Sequence, residues 1–435
     1  PAIEAQASGA GLRRGGLSLG RFALAATLRG GTGRITAEAS GNRGRGFTLT
    51  AAADVTPDRY RITAAGMVDR RAITLAAPAI VTRSGDAWQL SPVTLGFSGG
   101  EAQLSGRLAG AALALEARVA RMPLSLLDLA YPGTALSGSA SGTLSYSAVQ
   151  DAAPTGRMAM TVRGLSRAGL VLASQPIDLG LAGVLTPGKL GLRAVMASGG
   201  KTIGRAQAQL SPEPTGDVLE RLKTAPVFGQ IRYDGPADSL WRLTGIELFD
   251  LSGPIAIAAD VTGRVDDPRI SGALRARGAR IESARTGTVL TNVTGAGSFA
   301  GSVLRIDAVT ADAGKGGRVT GRGAFDFAAE HGFGIDLQLQ AARAVMINRD
   351  DIGATVSGPI TIRSDGDGGV IAGDVQLDAS RYRLGQAIAT AAVPRLNVRE
   401  VNLPGGEDAV ERAPGKPWRL DIRARAADGL EVSGL

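Results

Sequence analysis

Residues 334–343 read GIDLQLQAAR, and their alternation decides the fold class. In an extended strand successive side chains point to opposite faces, so Ile335, Leu337, Leu339 and Ala341 share one face while Asp336, Gln338 and Gln340 share the other. The stretch reads as a half-buried strand, and one side of it has to leave water.

The same period of two recurs along the chain. Phe47, Leu49, Ala51 and Ala53 follow it, as do Leu113, Leu115, Ala117 and Val119, and Met158, Met160 and Val162. From residue 250 onward the signal sharpens. Ile255, Ile257 and Val261 alternate with polar or small residues, then Ile270 and Leu274, then Val319, Phe325 and Phe327. Val356, Ile360 and Ile362 follow, then Ile371, Val375 and Leu377, and near the end Trp418, Leu420 and Ile422. Turn signals such as SGG, GKGG, SDGDGG and NLPGGED separate the runs. The chain is therefore all-β, made of short consecutive strands that meander in a mostly antiparallel sheet.

Two brief helical patterns interrupt it. MPLSLLDLAYPG places Pro123 at a first helical position, and GDVLERLKTAP offers Asp217 and Glu220 as a capping box. Both read as caps or plugs on a sheet, and they divide the chain into segments 1–122, 123–215 and 216–435.

Composition bounds the rest. With 435 residues there is ample material for a core, yet Phe, Trp and Tyr number only 9, 3 and 5, so large packing anchors are scarce. The 62 glycines and 20 prolines fall short of a low-complexity, disordered composition and act as punctuation between strands. Cysteine is absent, which excludes disulfides and thiolate metal sites. A net charge of +8 raises nucleic acid and anionic membranes as partners, but the arginines are spread among 40 acids. No aromatic alternates with the arginines of GNRGRG or RARGAR to stack a base, and nucleic acid is set aside. No stretch is long enough for a membrane-spanning helix, and Pro1 begins no signal sequence, so any export or anchoring segment is expected outside these residues.

Catalytic constellations are poor. The single histidine, His331, lies in the turn AAEHGFG and has no triad around it. SGGKTIG lacks the opening glycine of a phosphate loop, since residue 195 is Val195, and it reads as a hairpin turn. SDGDGGVIAG spaces Asp365 and Asp367 like a calcium loop, but Val370 stands where its glycine should be and Gln376 where its bidentate glutamate should be. Asp350 and Asp351 are adjacent and face opposite ways in a strand. The expectation is a protein without catalysis, metal or cofactor.

What remains is the apolar face. In a sandwich it would pack on a second sheet, but an inward set rich in Ala and Gly leaves volume unfilled between two sheets. Roughly 30 strands at ~4.8 Å would make a sheet on the order of 140 Å long, which has to close, fold back or curl. A sheet curled into a trough resolves the misfit, because acyl chains can fill the space side chains leave. The candidate lining is Ile255, Ile257, Val261, Ile270, Leu274, Val319, Phe325, Phe327, Ile335, Leu337, Leu339, Val356, Ile360, Ile362, Val375, Leu377, Leu420 and Ile422. The competing reading is a surface-exposed adhesin-like β-solenoid or sandwich without lipid; the absence of fixed-length coils counts against the solenoid.

These residues also carry a resemblance. RYDGPADSLWRLTGIELFDLSGPIAIAADVTGRVDDPRISGALRARGARIES, with TGTVLTNVTGAGSFAGSVLRIDAVTADAGKGGRVTGRGAFDF and PWRLDIRARAADGLEVSGL, resembles the TamB family, AsmA-like proteins of the translocation and assembly module. The likeness covers residues 228–435 and, upstream, the MPLSLLDLAYPGTALSGSASGTLSYS segment. It implies a β-taco, a curled sheet around an open hydrophobic groove that conducts phospholipids across the periplasm to the outer membrane of a Gram-negative bacterium. It also implies an inner-membrane anchor before Pro1 and the outer-membrane β-barrel TamA as partner, met through a portion expected past Leu435. On this likeness the chain is an internal fragment, and no catalytic residue is carried over.

Overall fold

A computed structural model describes residues 2–14, 16–149, 153–167, 175–213, 218–242, 249–327, 334–383, 417–426 and 430–433. Among them are 27 strands and three short α-helices, the first preceded by a single 3-10 turn. The fold is all-β, as the alternation requires. It divides into two compact units, with main bodies running from Pro1 to Thr202 and from Lys223 to Val398.

In the first unit the strands from Ala2–Arg14 to Lys189–Ser198 form an antiparallel meander, each bonded to the next in sequence but for one pair. One position is shared. Arg71–Leu75 and Ala79–Ser84 lie in series between Arg59–Val68 and Ala87–Phe97. Pro78, which has no N–H to give a ladder, stands in the gap between them.

The sheet of this unit coils. The connector after Ala112–Pro123 meets the turn after Thr32–Arg43, although the two strands are six positions apart in the sheet: Arg43 donates to the Ala130 carbonyl at 3.3 Å, and Arg45 to Asp128 at 2.8 Å. On a flat sheet those ends would stand about 29 Å apart.

The second unit repeats the plan. Val227–Pro236 pairs with Pro254–Gly263, and an antiparallel meander continues through Pro268–Ser283, Thr288–Gly301, Val303–Asp312, Arg318–Asp326, Gly334–Asn348, Ile352–Asp365 and Gly369–Arg383. Trp418–Ala426 and Leu430–Ser433 then join Gly369–Arg383 in parallel. A parallel return needs a long crossover, and residues 384–417 separate the two strands in sequence. This sheet coils too. Asn348 N–H bonds to the Thr286 carbonyl at 2.9 Å, and the Thr288 hydroxyl donates to the Met346 carbonyl, although two strands lie between their own.

β-Bulges explain the bend. In the second unit register shifts fall at Arg277/Ala279, Thr291/Thr294, Ile306/Val309, Ala341/Ala344 and Thr355/Val356, forming a seam across the sheet. In the first unit they fall at Leu19/Arg21, Leu90/Val93, Val119/Met122, Ser137/Ser139 and Val162/Leu165. Each bulge adds a residue to one strand and raises the local twist, so a line of them folds the sheet along itself. Two are alike: Arg121 and Arg343 hold φ of 49° and 48°, and each N–H is caught by a serine hydroxyl on the next strand, Ser141 at 2.8 Å and Ser357 at 2.9 Å.

The largest described core follows from strand length. Val303–Asp312 and Arg318–Asp326 are shorter than their flanking neighbours, and the neighbours close over them. Ala313, Val319, Ala341, Ala344, Val356, Ile360 and Val375 become buried together, with Leu290 and Met346 against them.

The helices need correction in detail. Pro123 is the extended cap before the first helical turn at Leu124, and Leu127–Ala130 completes that helix. The second is Val218–Lys223, and Asp217 lies outside the described residues, as do His331 and NLPGGED. A third, Ala237–Trp241, has no counterpart in the helical patterns of the sequence, because five residues are too few to show a period of 3.6.

Candidate functional site

Register turns the alternation into a surface. In an antiparallel pair, residues directly opposite each other share a face, so a chain of such pairs traces one row across the sheet. In the second unit such a row runs Tyr233, Ile257, Leu274, Gly297, Ile306, Gly323, Leu337, Ile362, Ile371, Leu420, ten strands without a polar side chain other than the tyrosine hydroxyl. A second row on the same face takes in Ile255, Val309, Leu339, Ile360 and Ile422, and a third Phe299, Leu304, Phe325 and Ile335. Val261 pairs with Ile270, Val319 with Ala341, Val356 with Leu377 and Val375 with Ala424. The Phe327 ring lies 6.4 Å from that of Phe299. All eighteen residues of the candidate lining therefore lie on one face.

They are not equally open. Ile255, Val319, Ile335, Val356, Ile360 and Val375 are buried, most of them in the core at the coiled end. Ile257, Val261, Ile270, Leu274, Phe325, Leu337, Leu339, Ile362 and Leu377 are half-buried, while Phe327, Ile422 and Leu420 are exposed, Leu420 to 73 %.

The first unit carries an equivalent row that the lining derived from sequence does not include. It runs Ile3, Leu28, Gly33, Val55, Tyr60, Val81, Leu90, Gly106, Leu115, Tyr146, Gly156, Leu185, Leu190 across thirteen strands. Leu24, Leu49, Leu104, Leu108 and Leu144 on the same face are each at least 40 % exposed. One residue over, the outer face reads Glu4, Thr27, Arg34, Asp54, Arg61. The signal that could have found this row was the same alternation, in runs where Ala dilutes it.

Glycine keeps the face thin. A Cβ on Gly323 would stand 2.6 Å from Leu337 Cδ2, and one on Gly106 2.7 Å from Leu115 Cδ2. The leucine of one strand thus lies flat over the glycine of its neighbour instead of rising into the trough.

Polar groups gather at the edges. Tyr233 is buried at one end of its row, where its hydroxyl donates to the Pro236 carbonyl at 2.7 Å, and burial pushes its pKa up to about 12. Arg242 grips Asp250 with two bonds of 3.1 and 2.6 Å, and Trp241 stacks on Phe249 at 4.6 Å, fastening the helix Ala237–Trp241. In the first unit Leu124 is buried against Ala140 and Val162, so the connector helix covers one margin of the apolar face. Its Asp128 is buried, which alone would raise the carboxyl; bonds from the Thr134 hydroxyl and Ala135 N–H, and the Arg45 guanidinium, outweigh that and hold it below the ordinary carboxylate range. Among the described residues no group of His, Asp and Glu is arranged to hold a metal ion, and no helix is long and apolar enough to cross a membrane.

Residues 305–435 match the family model described as the TamB C-terminal domain. Over these residues the chain is similar to the TamB family. The matched stretch holds the strands from Val303–Asp312 onward, including the buried core and the exposed Leu420 and Ile422. No curated protein and no solved structure matches the chain. TamB-family proteins are envelope proteins of Gram-negative bacteria, belonging to a non-enzymatic translocation and assembly module that works with TamA in outer-membrane assembly.

Proposed function

We propose that this chain is a passive conduit for phospholipids, whose acyl chains lie on the apolar rows while their head groups stay in water. One observation carries the reading. Each unit presents an unbroken apolar row across a single coiled sheet, and large side chains on that face, such as Leu104, Leu144 and Leu420, remain 40 % exposed or more. A folded protein leaves so much apolar surface uncovered where something apolar is to sit on it.

The energetics suit transport. Each methylene taken fully from water gains about 0.8 kcal/mol, so a dozen half covered along an open row gain roughly 5 kcal/mol. That is enough to hold a chain on the row and too little to trap it. The flat leucine-over-glycine floor offers no deep pocket to stop it. The same reading puts the groove in the periplasm, tied to the inner membrane by an anchor and meeting TamA, both carried over from the family.

The test is mass spectrometry of phospholipid co-purifying with the chain after a mild detergent wash, compared with Leu337→Arg. Phospholipid on the parent and its loss from a folded variant are expected. A parent that stays empty under conditions that keep known lipid carriers loaded would overturn the proposal.

A further inference from the structure

A second surface lies at one rim of the first unit, where positive charge surrounds exposed apolar side chains. Leu127 and Tyr131, four residues apart in the connector helix and its cap, are 42 % and 70 % exposed. Their surroundings are fixed by contact. A Cβ on Gly16 would stand 3.9 Å from the Pro132 ring, one on Gly44 would stand 2.6 Å from the Asp128 carbonyl oxygen, and Arg45 is ion-paired to both Asp128 and Asp69. Three turns and the connector therefore form one patch.

Across residues 13–16, 43–45, 69–71 and 124–135 stand Arg13, Arg14, Arg43, Arg45, Arg70 and Arg71. Only two acids stand with them, Asp69 and Asp128, and Arg45 engages both. Arg14, Arg70 and Arg71 are exposed. A tyrosine and a leucine set beside the exposed Arg14, Arg70 and Arg71 match a membrane–water interface, where the aromatic ring sits at head-group level and guanidinium groups meet phosphates.

We propose that this rim docks on the surface of a bilayer containing anionic phospholipid. The proposal does not depend on lipid occupying the apolar rows. Each arginine near an anionic surface contributes about fivefold in affinity, so replacing three loses on the order of a hundredfold.

The experiment is co-sedimentation of the chain with vesicles of phosphatidylcholine alone, and with vesicles in which about a third is phosphatidylglycerol. Binding is expected to the second only, and to fall as salt rises. The triple variant Arg14→Gln, Arg70→Gln, Arg71→Gln should lose about a hundredfold. Leu127→Ser with Tyr131→Ser should lose several-fold while the salt dependence stays. Equal binding to both vesicles would overturn the proposal, as would undiminished binding by a folded triple variant. So would release by millimolar inorganic phosphate, which marks a free-anion site, or sedimentation without vesicles, which marks self-association. If the triple variant fails to fold, the salt dependence and the Leu127, Tyr131 variant decide alone. Phospholipid retained by the rim variant in the purification assay would show that the rows are untouched, so the two proposals fail separately.

Discussion

Two charges placed on the same apolar face should destabilise the fold to very different extents. Ile360 is 6 % exposed and packed in the core with Val319, Ala341, Val356 and Val375. Ile360→Asp removes a buried aliphatic side chain, worth about 2–5 kcal/mol, and adds an unpaired buried charge, which costs several more unless the carboxyl stays protonated. Against a total stability of about 5–15 kcal/mol, that is close to unfolding. Leu337 lies one row away, half-buried, over Gly323. Leu337→Arg gives up part of the roughly 1.5–3 kcal/mol of a fully buried leucine, and the long arginine can lay its stem on the row and carry its head to water, so a net cost of about 1 kcal/mol is expected. Urea unfolding followed by circular dichroism measures both. The expected result is a midpoint shift at least threefold larger for Ile360→Asp than for Leu337→Arg. Equal, large losses would refute the reasoning, because Leu337 would then be sealed and the row would not be a surface.

Other consequences can be measured with the same preparation. Gly323→Ala places a methyl 2.2 Å from the Asp336 carbonyl oxygen as well as against Leu337, and should cost about 1–3 kcal/mol in urea unfolding. Ser357→Ala removes the acceptor of the Arg343 N–H and the donor to Asp378, and should cost about 1–3 kcal/mol, while Ser357→Thr should recover part of it. Asp128→Ala should destabilise by about 3 kcal/mol and speed proteolysis within residues 124–135, because the buried acceptor of three donors is lost. The folded carboxyl of Asp128 is held below its unfolded value of about 3.9, so its contribution is fully present above that pH and is lost as pH falls through the folded value; acid titration of the parent, but not of Asp128→Asn, should show this loss below about pH 4.

The faces of the sheet were legible in the sequence because period two is a property of the chain itself. Once Ile335 was assigned inward, Leu337 and Leu339 had to follow, and register carried the assignment to Ile362 and Leu420. What alternation could not reveal was which of these residues end up sealed. That depends on Val303–Asp312 being short enough for its neighbours to close over it, which buries Val319 and Ile360 but leaves Leu337 at the surface. Nor did it reveal the bends. Arg121 and Arg343 look like ordinary strand arginines until the serine on the next strand is seen to catch each N–H, and a positive φ at a residue with a side chain leaves no compositional trace. The helix Ala237–Trp241 was hidden by brevity, and the parallel closing pairs by a connection whose length forbids a hairpin.

The glycines then take on a second meaning. Read as punctuation, they only separate strands, and many do. Gly66, Gly106, Gly297, Gly321 and Gly323, however, stand inside strands on the apolar rows, under the side chains of Leu49, Leu115, Ile306, Leu339 and Leu337. Glycine weakens a strand interior, so its repeated use there needs a compensating gain. Laying a large side chain over the bare backbone covers the ladder and keeps the surface low, which a core packed against a second sheet would not require, since such a core gains by interdigitating tall side chains. Few aromatics and many in-strand glycines thus have one physical cause. The face is built to be smooth, and a smooth apolar face suits a chain that moves along it better than a layer that locks into it.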